Sequence, residues 1–146
     1  YEGGEAMFIN KMNGNALNFK LENTHFTDSI GLDQKNYTTS HDLARLASVA
    51  LKNKVFADIV STKNKVITDV SQKKVYILNN LNQLLGKDGV NGVKTGFTEE
   101  AQGVLVTSRK NNNHTLIIVV IKSKDRFFDT QELLSLVGVN IQYLEF

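Results

Sequence analysis

The feature that most constrains the fold is a run of six apolar residues at positions 116–121, Leu-Ile-Ile-Val-Val-Ile. The run lies within a predicted strand at residues 115–122, and a second predicted strand at residues 102–109 joins it through three asparagines at 111–113. Because every position of the run is apolar, both faces of this strand should be buried. We therefore predict that it is central in its sheet and does not lie at an edge.

The rest of the chain alternates between helical and extended patterns. Three segments have apolar residues at helical spacing and predict helices: residues 3–21, 40–54 and 125–137. Four further segments predict a short helix at residues 55–60, the two strands of a hairpin at residues 65–69 and 74–79, and a short helix or turn at residues 80–86. Residues 141–146 close the chain.

Two predicted helices carry more specific expectations. Ser40 is the expected N-cap of the second helix, with Asp42 in its first turn. Gly138 is expected to break or kink the last helix. The residues of that helix expected to face inward are Phe128, Leu133, Leu134 and Val137.

The composition is that of an ordinary soluble domain. With 146 residues, 41% of them hydrophobic, the chain is long enough for one domain, or part of one, with a real core. A dispersed net charge of +2 is too small to favour nucleic acid or an anionic membrane surface as a partner. There is no cysteine, and no run approaches the roughly 20 apolar residues of a membrane span. The histidines are scattered, so we expect neither a metal site nor a cofactor. They are His25, His41 and His114.

A glycine-rich stretch at residues 89–103 carries the clearest chemistry. Four glycines lie in this stretch, and one of them, Gly96, follows Lys94 and Thr95 in a segment with the pattern of a turn entering a strand. Lys94 supplies an ammonium, Thr95 a hydroxyl, and Gly96 leaves the backbone open to close approach. Together these groups suit a strand that faces and binds a carboxylate. The triplet alone also fits an exposed lysine beside a turn, so its meaning depends on the rest of the chain.

Other reactive side chains are weaker candidates. Ser71 and Lys74 form the only Ser-x-x-Lys pattern of the chain. They lie in the turn of the predicted hairpin, where a solvated role fits better than that of a nucleophile. Glu99 and Glu100 are adjacent and would point to opposite sides of a strand, so we expect solvated charges and not an acid–base pair.

Three stretches together resemble the penicillin-binding domain of the low-molecular-weight serine D-alanyl-D-alanine carboxypeptidases, the peptidase S11 type. Met12 and Asn13 are similar to the Met-Asn that follows the family's Ser-x-Asn element. Residues 24–33 and 37–44 are similar to its Thr-x-Phe-x-Asn-x-x-Gly-Leu and Tyr-Ser-Thr-Ala-x-Asp-Leu-Ala run. Residues 92–98 are similar to its Gly-x-Lys-Thr-Gly-x-Thr strand. The resemblance covers nearly the whole chain, in order.

This resemblance implies a fold, an activity and a location. The fold would be α/β (α+β) of the β-lactamase and penicillin-binding transpeptidase type, with an antiparallel sheet flanked by helices. The activity would be removal of the terminal D-alanine from peptidoglycan stem peptides through a serine acyl-enzyme, which β-lactam antibiotics would also form. The location would be periplasmic or at the cell surface, in a membrane-anchored parent protein. Asp28 and Ile30 replace the family's Asn and His, but only within a structural loop.

The resemblance also implies roles for four residues. Lys94 would be catalytic: it would supply positive charge to the substrate carboxylate and help to position the proton-transfer network. Thr95 would donate a hydrogen bond to that carboxylate. Gly96 would let the substrate lie along the strand as an added β-strand. The backbone N–H of Phe97 would form half of the oxyanion hole.

The family's nucleophile segment has no convincing counterpart here. Because Ser-x-Asn is also absent, we expect residues 1–146 to be the C-terminal part of one penicillin-binding domain, inactive alone. An uncovered sheet face or edge would then favour self-association. Two alternatives stay open: a non-catalytic penicillin-binding-like module, and a β-lactamase or esterase on the same fold.

Overall fold

The computed structural model describes residues 1–111 and 114–140. The helices are α1 (Gly4–Asn18), α2 (Ser40–Ala50), α3 (Lys54–Val60) and α4 (Arg126–Asn140). The strands are β1 (Asn64–Thr68), β2 (Val75–Asn79), β3 (Val90–Thr98), β4 (Gln102–Asn111) and β5 (His114–Ser123). Every predicted helix and strand is present, with small changes at the ends, and the closing segment 141–146 lies outside the described residues. None of these helices is both long and apolar enough to cross a membrane.

Three strands form an antiparallel sheet in the order β3–β4–β5. Thr95 lies opposite Leu105 of β4, and Leu105 lies opposite Val120 of β5. The central strand is therefore β4, and β5 is an edge strand in the described part of the chain. The prediction of a central position for residues 116–121 is wrong. An apolar pattern reports what covers the faces of a strand, whereas its place in the sheet depends on which other strands pair with it.

Helices on both faces of the sheet account for the apolar run in β5. On one face, alternate β5 side chains join a cluster with Leu105, which is fully buried, and with Leu134 of α4. On the other face, the intervening β5 side chains pack with Val106 and with Ala47 of α2. The predicted burial of both faces is thus confirmed for the interior of the strand, although Ile121 at its end is 41% exposed.

Thr39, and not Ser40, is the N-cap of α2. The Thr39 hydroxyl oxygen accepts a hydrogen bond from the backbone N–H of Asp42 at 3.1 Å, and its backbone is extended, as an N-cap requires. Ser40 is already the first helical residue. Both residue types make good caps, so the sequence located the helix start to within one residue but did not select between them.

The inward face of α4 differs from the predicted one. The residues that pack against the sheet are Phe127, Thr130, Leu134 and Val137. Phe128 and Leu133, which were expected to face inward, are 58% and 40% exposed. Thr130 can be fully buried because its hydroxyl donates to the Arg126 carbonyl one turn earlier, at 2.7 Å. The helix also continues through Gly138, so Gly138 does not break it, and a kink at that residue stays a prediction.

The strands β1 and β2 form a separate antiparallel hairpin, as predicted. Asp69 organises its turn by accepting hydrogen bonds from the Ser71 hydroxyl and from the backbone N–H groups of Lys73 and Lys74. These bonds, led by that from Ser71, hold the pKa of Asp69 below its usual value. Ser71 is therefore an exposed turn residue whose hydroxyl is engaged by a neighbouring carboxylate, which agrees with the solvated role predicted for it.

Candidate functional site

The glycine-rich stretch forms β3, whose outer side is covered along only part of its length. The turn at residues 80–89 covers the beginning of the strand, where the Asn82 side chain donates to the Gly92 carbonyl at 3.3 Å. Over residues 94–98, no strand of the described chain pairs with this side. These residues therefore form a sheet edge to which an extended peptide could add as a further strand.

The side chains of Lys94 and Thr95 lie on opposite faces of this edge. Lys94 is exposed and lies opposite Val106, which packs against α2. Thr95 is only 7% exposed and lies opposite Leu105, which packs under α4. We expected the two side chains to project together, and the alternation of a strand separates them. The Lys94 ammonium nevertheless reaches back over the edge and donates to the Thr95 backbone carbonyl.

Gly96 leaves space beside the strand, whereas Gly103 on β4 is confined. A Cβ added at Gly96 would have Val104 as its nearest neighbour, with an ordinary contact of 3.7 Å between the two Cβ atoms. A Cβ added at Gly103 would lie 2.7 Å from the Ser123 carbonyl oxygen and 3.2 Å from the Arg126 Cβ. The open space at Gly96 is thus available to a ligand, and the absence of a side chain at Gly103 is needed for packing.

Arg126 places a second cation near the end of β3, and the sequence prediction missed it. Its guanidinium carbon lies 5.9 Å from the ring centroid of Phe97 and 4.9 Å from that of Phe127. Phe97 is 65% exposed, so this contact lies at the open end of the strand. The Arg126 Nε is buried and has no hydrogen-bond partner among the described residues. The only signal in the sequence was an arginine near the start of a helix in a chain that otherwise prefers lysine.

The loop between α1 and α2, residues 19–39, is braced by Asp28. Its carboxylate accepts the Asn36 side-chain amide at 2.8 Å and three backbone N–H groups at 2.6–2.7 Å. The three N–H groups belong to Gly31, Leu32 and Asp33. Partial desolvation raises the pKa of Asp28, but these hydrogen bonds outweigh it and hold the pKa at about 2. Asp28 therefore serves the structure of the loop, as predicted.

Two further polar residues fasten this loop to the helices. Buried Asp42 of α2 accepts the Asn23 backbone N–H and the Thr24 hydroxyl, both at 2.8 Å. Partial desolvation raises the pKa of Asp42. These hydrogen bonds and the neighbouring His41 lower it by more, so the pKa of Asp42 lies below its usual value. Asn13 of α1 donates to and accepts from the Phe26 backbone at 2.8 Å. The motifs that were separate in sequence are thus joined by hydrogen bonds.

Glu100 is exposed, as expected for a solvated charge, and it also has a hydrogen-bond partner that was not predicted. Its Oε1 accepts a hydrogen bond from Nε2 of Gln34 at 2.6 Å, which connects the loop at residues 19–39 with the turn between β3 and β4. Within residues 1–111 and 114–140, no cluster of three or more His, Cys, Asp or Glu side chains is arranged to hold a metal ion.

Comparison with known proteins gives consistent results. The family model described as D-alanyl-D-alanine carboxypeptidase, peptidase S11, matches residues 1–125. The chain is 34% identical over 119 residues to the D-alanyl-D-alanine carboxypeptidase DacF of Bacillus subtilis, covering 81% of this chain and 31% of the relative. It is 38% identical over 122 residues to the D-alanyl-D-alanine carboxypeptidase of Streptomyces strain K15, covering 80% of this chain and 42% of the relative.

Solved structures agree with these relatives. The crystal structure of the Streptomyces K15 DD-transpeptidase superposes with a TM-score of 0.80 at 36% identity, over 88% of this chain and 52% of that one. A penicillin-binding protein homologue from Mycobacterium tuberculosis superposes with a TM-score of 0.84 at 26% identity, over 98% of this chain and 58% of that one.

These results first define a class: a mixed α/β protein of the penicillin-binding fold, with an antiparallel sheet flanked by helices, as predicted. The chain belongs to the peptidase S11 family of D-alanyl-D-alanine carboxypeptidases, and the resemblance seen in the sequence is confirmed. This is a family of bacterial cell-wall enzymes that are generally extracytoplasmic. The chain spans 31% to 58% of the length of the four proteins above.

Proposed function

We propose that the protein containing this chain is a serine D-Ala-D-Ala carboxypeptidase that removes the terminal D-alanine from peptidoglycan stem peptides. Residues 1–146 would be the C-terminal part of its penicillin-binding domain. The observation that carries the proposal is the open edge of β3 at residues 94–98, which coincides with the family's Lys-Thr-Gly motif. A serine supplied by another segment would attack the peptide carbonyl, expel D-alanine and be released by water, and β-lactams would acylate the same serine.

Lys94 and Thr95 would recognise the terminal carboxylate of the peptide. An ammonium has three N–H donors, and the Thr95 carbonyl engages one of those of Lys94, which leaves two for a ligand. The Thr95 hydroxyl makes no hydrogen bond within the residues that the structure describes. Because the two side chains lie on opposite faces, the carboxylate would sit across the strand edge, between them.

Gly96 and Phe97 would receive the backbone of the peptide. The open space at Gly96 would allow an extended peptide to run alongside β3. The Phe97 backbone N–H would then donate to the oxyanion of the tetrahedral intermediate, together with the N–H of the nucleophilic serine. Arg126, over the Phe97 ring, would add positive charge at the same end of the strand.

Labelling with a fluorescent penicillin tests the proposal on the complete gene product, expressed from its own start codon. The wild type should be acylated, and Lys94→Ala should lower the second-order rate constant by at least about 30-fold, because the ligand carboxylate loses a charged partner. Lys65→Ala, at another exposed strand position, should leave the rate unchanged. Thr95→Val should lower it by roughly tenfold, while Thr95→Ser keeps it. Equal acylation of wild type and Lys94→Ala would refute the proposed role.

The reading frame upstream of Tyr1 distinguishes the enzyme from the alternatives. A Ser-x-x-Lys followed by a Ser-x-Asn supports the carboxypeptidase, and their absence supports a non-catalytic module. Rapid turnover of a chromogenic β-lactam, in place of stable acylation, would indicate a β-lactamase on the same fold.

The proposal extends to location and association. We propose that the parent protein acts outside the cytoplasmic membrane and is anchored to it. The strand β5 has a single strand neighbour in the described chain, and Ile121 is 41% exposed, so residues 1–146 alone would self-associate through this edge. Light scattering over a concentration series should show a dimer or larger species, and a monomer at every concentration would contradict this.

A further inference from the structure

The hydrogen bond between Gln34 and Glu100 joins two parts of the chain that flank the open end of β3. Gln34 lies in the loop at residues 19–39, and Glu100 lies in the turn after β3, three residues beyond Phe97. The distance of 2.6 Å from Nε2 to Oε1 is short, as expected for a carboxylate acceptor. We propose that this pair is a positioning contact, which holds the end of β3 and with it the Phe97 backbone N–H in the geometry needed for acyl transfer.

The loop provides a firm support for Gln34. Asp28 accepts the backbone N–H groups of residues 31–33 on one side of Gln34, and the Asn36 side chain on the other side donates to the same carboxylate. The loop is in turn fixed to α1, where Asn13 bonds the Phe26 backbone in both directions. Gln34 therefore extends from a segment whose backbone is held by several hydrogen bonds.

The turn transmits the position of Glu100 to β3. The Thr98 hydroxyl oxygen accepts the Ala101 backbone N–H at 3.0 Å, and Thr98 lies opposite Gln102 in the β3–β4 ladder. A displacement of Glu100 thus moves Thr98 and the adjoining Phe97. Acyl transfer is sensitive to such changes, because a misplacement of about 1 Å can lower a rate by as much as roughly 100-fold.

The kinetic consequence rests on the proposed function, because it requires the Phe97 N–H to serve the acylation step. The contact between Gln34 and Glu100 does not depend on the proposed function, and it can be measured separately. Glu99 provides a matched control: it is the adjacent residue in the same turn, has the same side chain and is exposed.

The experiment compares five variants of the complete gene product: Glu100→Ala, Gln34→Ala, their combination, Glu100→Gln and Glu99→Ala. Acylation by a fluorescent penicillin should fall roughly three- to tenfold in either single alanine variant, the range of a typical net hydrogen bond, because both side chains are exposed to solvent. The double variant should fall no further, because both substitutions remove the same bond. Glu100→Gln keeps a carbonyl acceptor and should stay within about twofold of wild type, and Glu99→Ala should match wild type.

Hydrogen exchange provides a readout that does not depend on activity. Glu100→Ala should speed the exchange of amides in residues 31–36 and 98–102, with other regions unchanged, and Glu99→Ala should not. If Glu100→Ala and Glu99→Ala behave alike in both acylation and exchange, the positioning contact is refuted. If the wild type is not acylated at all, the proposed function fails, and the exchange data alone decide whether the contact holds the turn. Faster exchange with unchanged acylation would also overturn the positioning role.

Discussion

Alanine substitutions at Gly96 and Gly103, on neighbouring strands, should separate packing from ligand access. The Gly103→Ala methyl would lie 2.7 Å from the Ser123 carbonyl oxygen, a backbone atom that cannot move without shifting β5. Overpacking of this kind costs about 1–3 kcal/mol, and the lower entropy of the unfolded chain returns roughly 0.4–1 kcal/mol. We therefore expect Gly103→Ala to lower the free energy of unfolding by up to about 2.6 kcal/mol, with a central value of about 1–1.5 kcal/mol.

Gly96→Ala should behave in the opposite way. Its methyl would meet Val104 at an ordinary 3.7 Å, so the entropy term should leave the protein as stable as wild type or up to about 1 kcal/mol more stable. The same methyl would occupy the space proposed for the peptide, and penicillin acylation should fall by at least about tenfold. Urea unfolding followed by circular dichroism measures the stabilities, and equal m values would show that the folded states are comparable.

Two results would refute the reasoning behind this pair. Equal free energies of unfolding for both variants would mean that Gly103 is not confined as the structure shows. Acylation of Gly96→Ala at the wild-type rate would mean that the substrate does not run along this side of β3.

Three further predictions concern stability. Thr39→Ala should lower the free energy of unfolding, measured in urea, by about 1 kcal/mol because the α2 cap is lost, whereas Ser40→Ala should change it by no more than about 0.5 kcal/mol. A larger loss in Ser40→Ala than in Thr39→Ala would show that Ser40 is the cap. The pKa of Asp28 is about 2, below its ordinary 3.8, so its carboxylate stabilises the fold above about pH 3.8 and this stabilisation is lost as the pH falls towards 2. Asp28→Asn should flatten the pH dependence of unfolding in that window, and parallel curves for Asp28→Asn and wild type would contradict the assignment. Leu105→Ala, at a fully buried position, should cost about 2–5 kcal/mol, and a loss below about 1 kcal/mol would show that the α4 cluster is not tightly packed there.

The helices and strands could be predicted because each is encoded by neighbouring residues. Apolar spacing located α4, and polar residues around the 69–74 turn located the β1–β2 hairpin. Which residues of a helix face the core is harder to predict from the sequence. Thr130 took an inward position in α4 because its hydroxyl bonds within its own turn, while Phe128 turned outward.

The candidate site was predicted only where its residues are neighbours in the sequence. Lys94, Thr95 and Gly96 stand together in the sequence, so their strand was recognised at once. Arg126 reaches the same strand end from about 30 residues away, and Gln34 reaches Glu100 from 66 residues away. Neither contact leaves a local pattern, because no spacing rule relates a loop residue to a turn on another element.

By itself, the sequence determined the local elements, the family motif and the burial of both faces in the interior of the 116–121 strand. Those properties depend on side-chain type and on periods of two to four residues. The tertiary structure alone decided that this strand lies at the sheet edge among the described residues, that Lys94 and Thr95 face opposite sides, and that Arg126 and Gln34 lie beside the candidate site. Each of these depends on which distant segments meet, and that is settled when the helices and strands pack against one another.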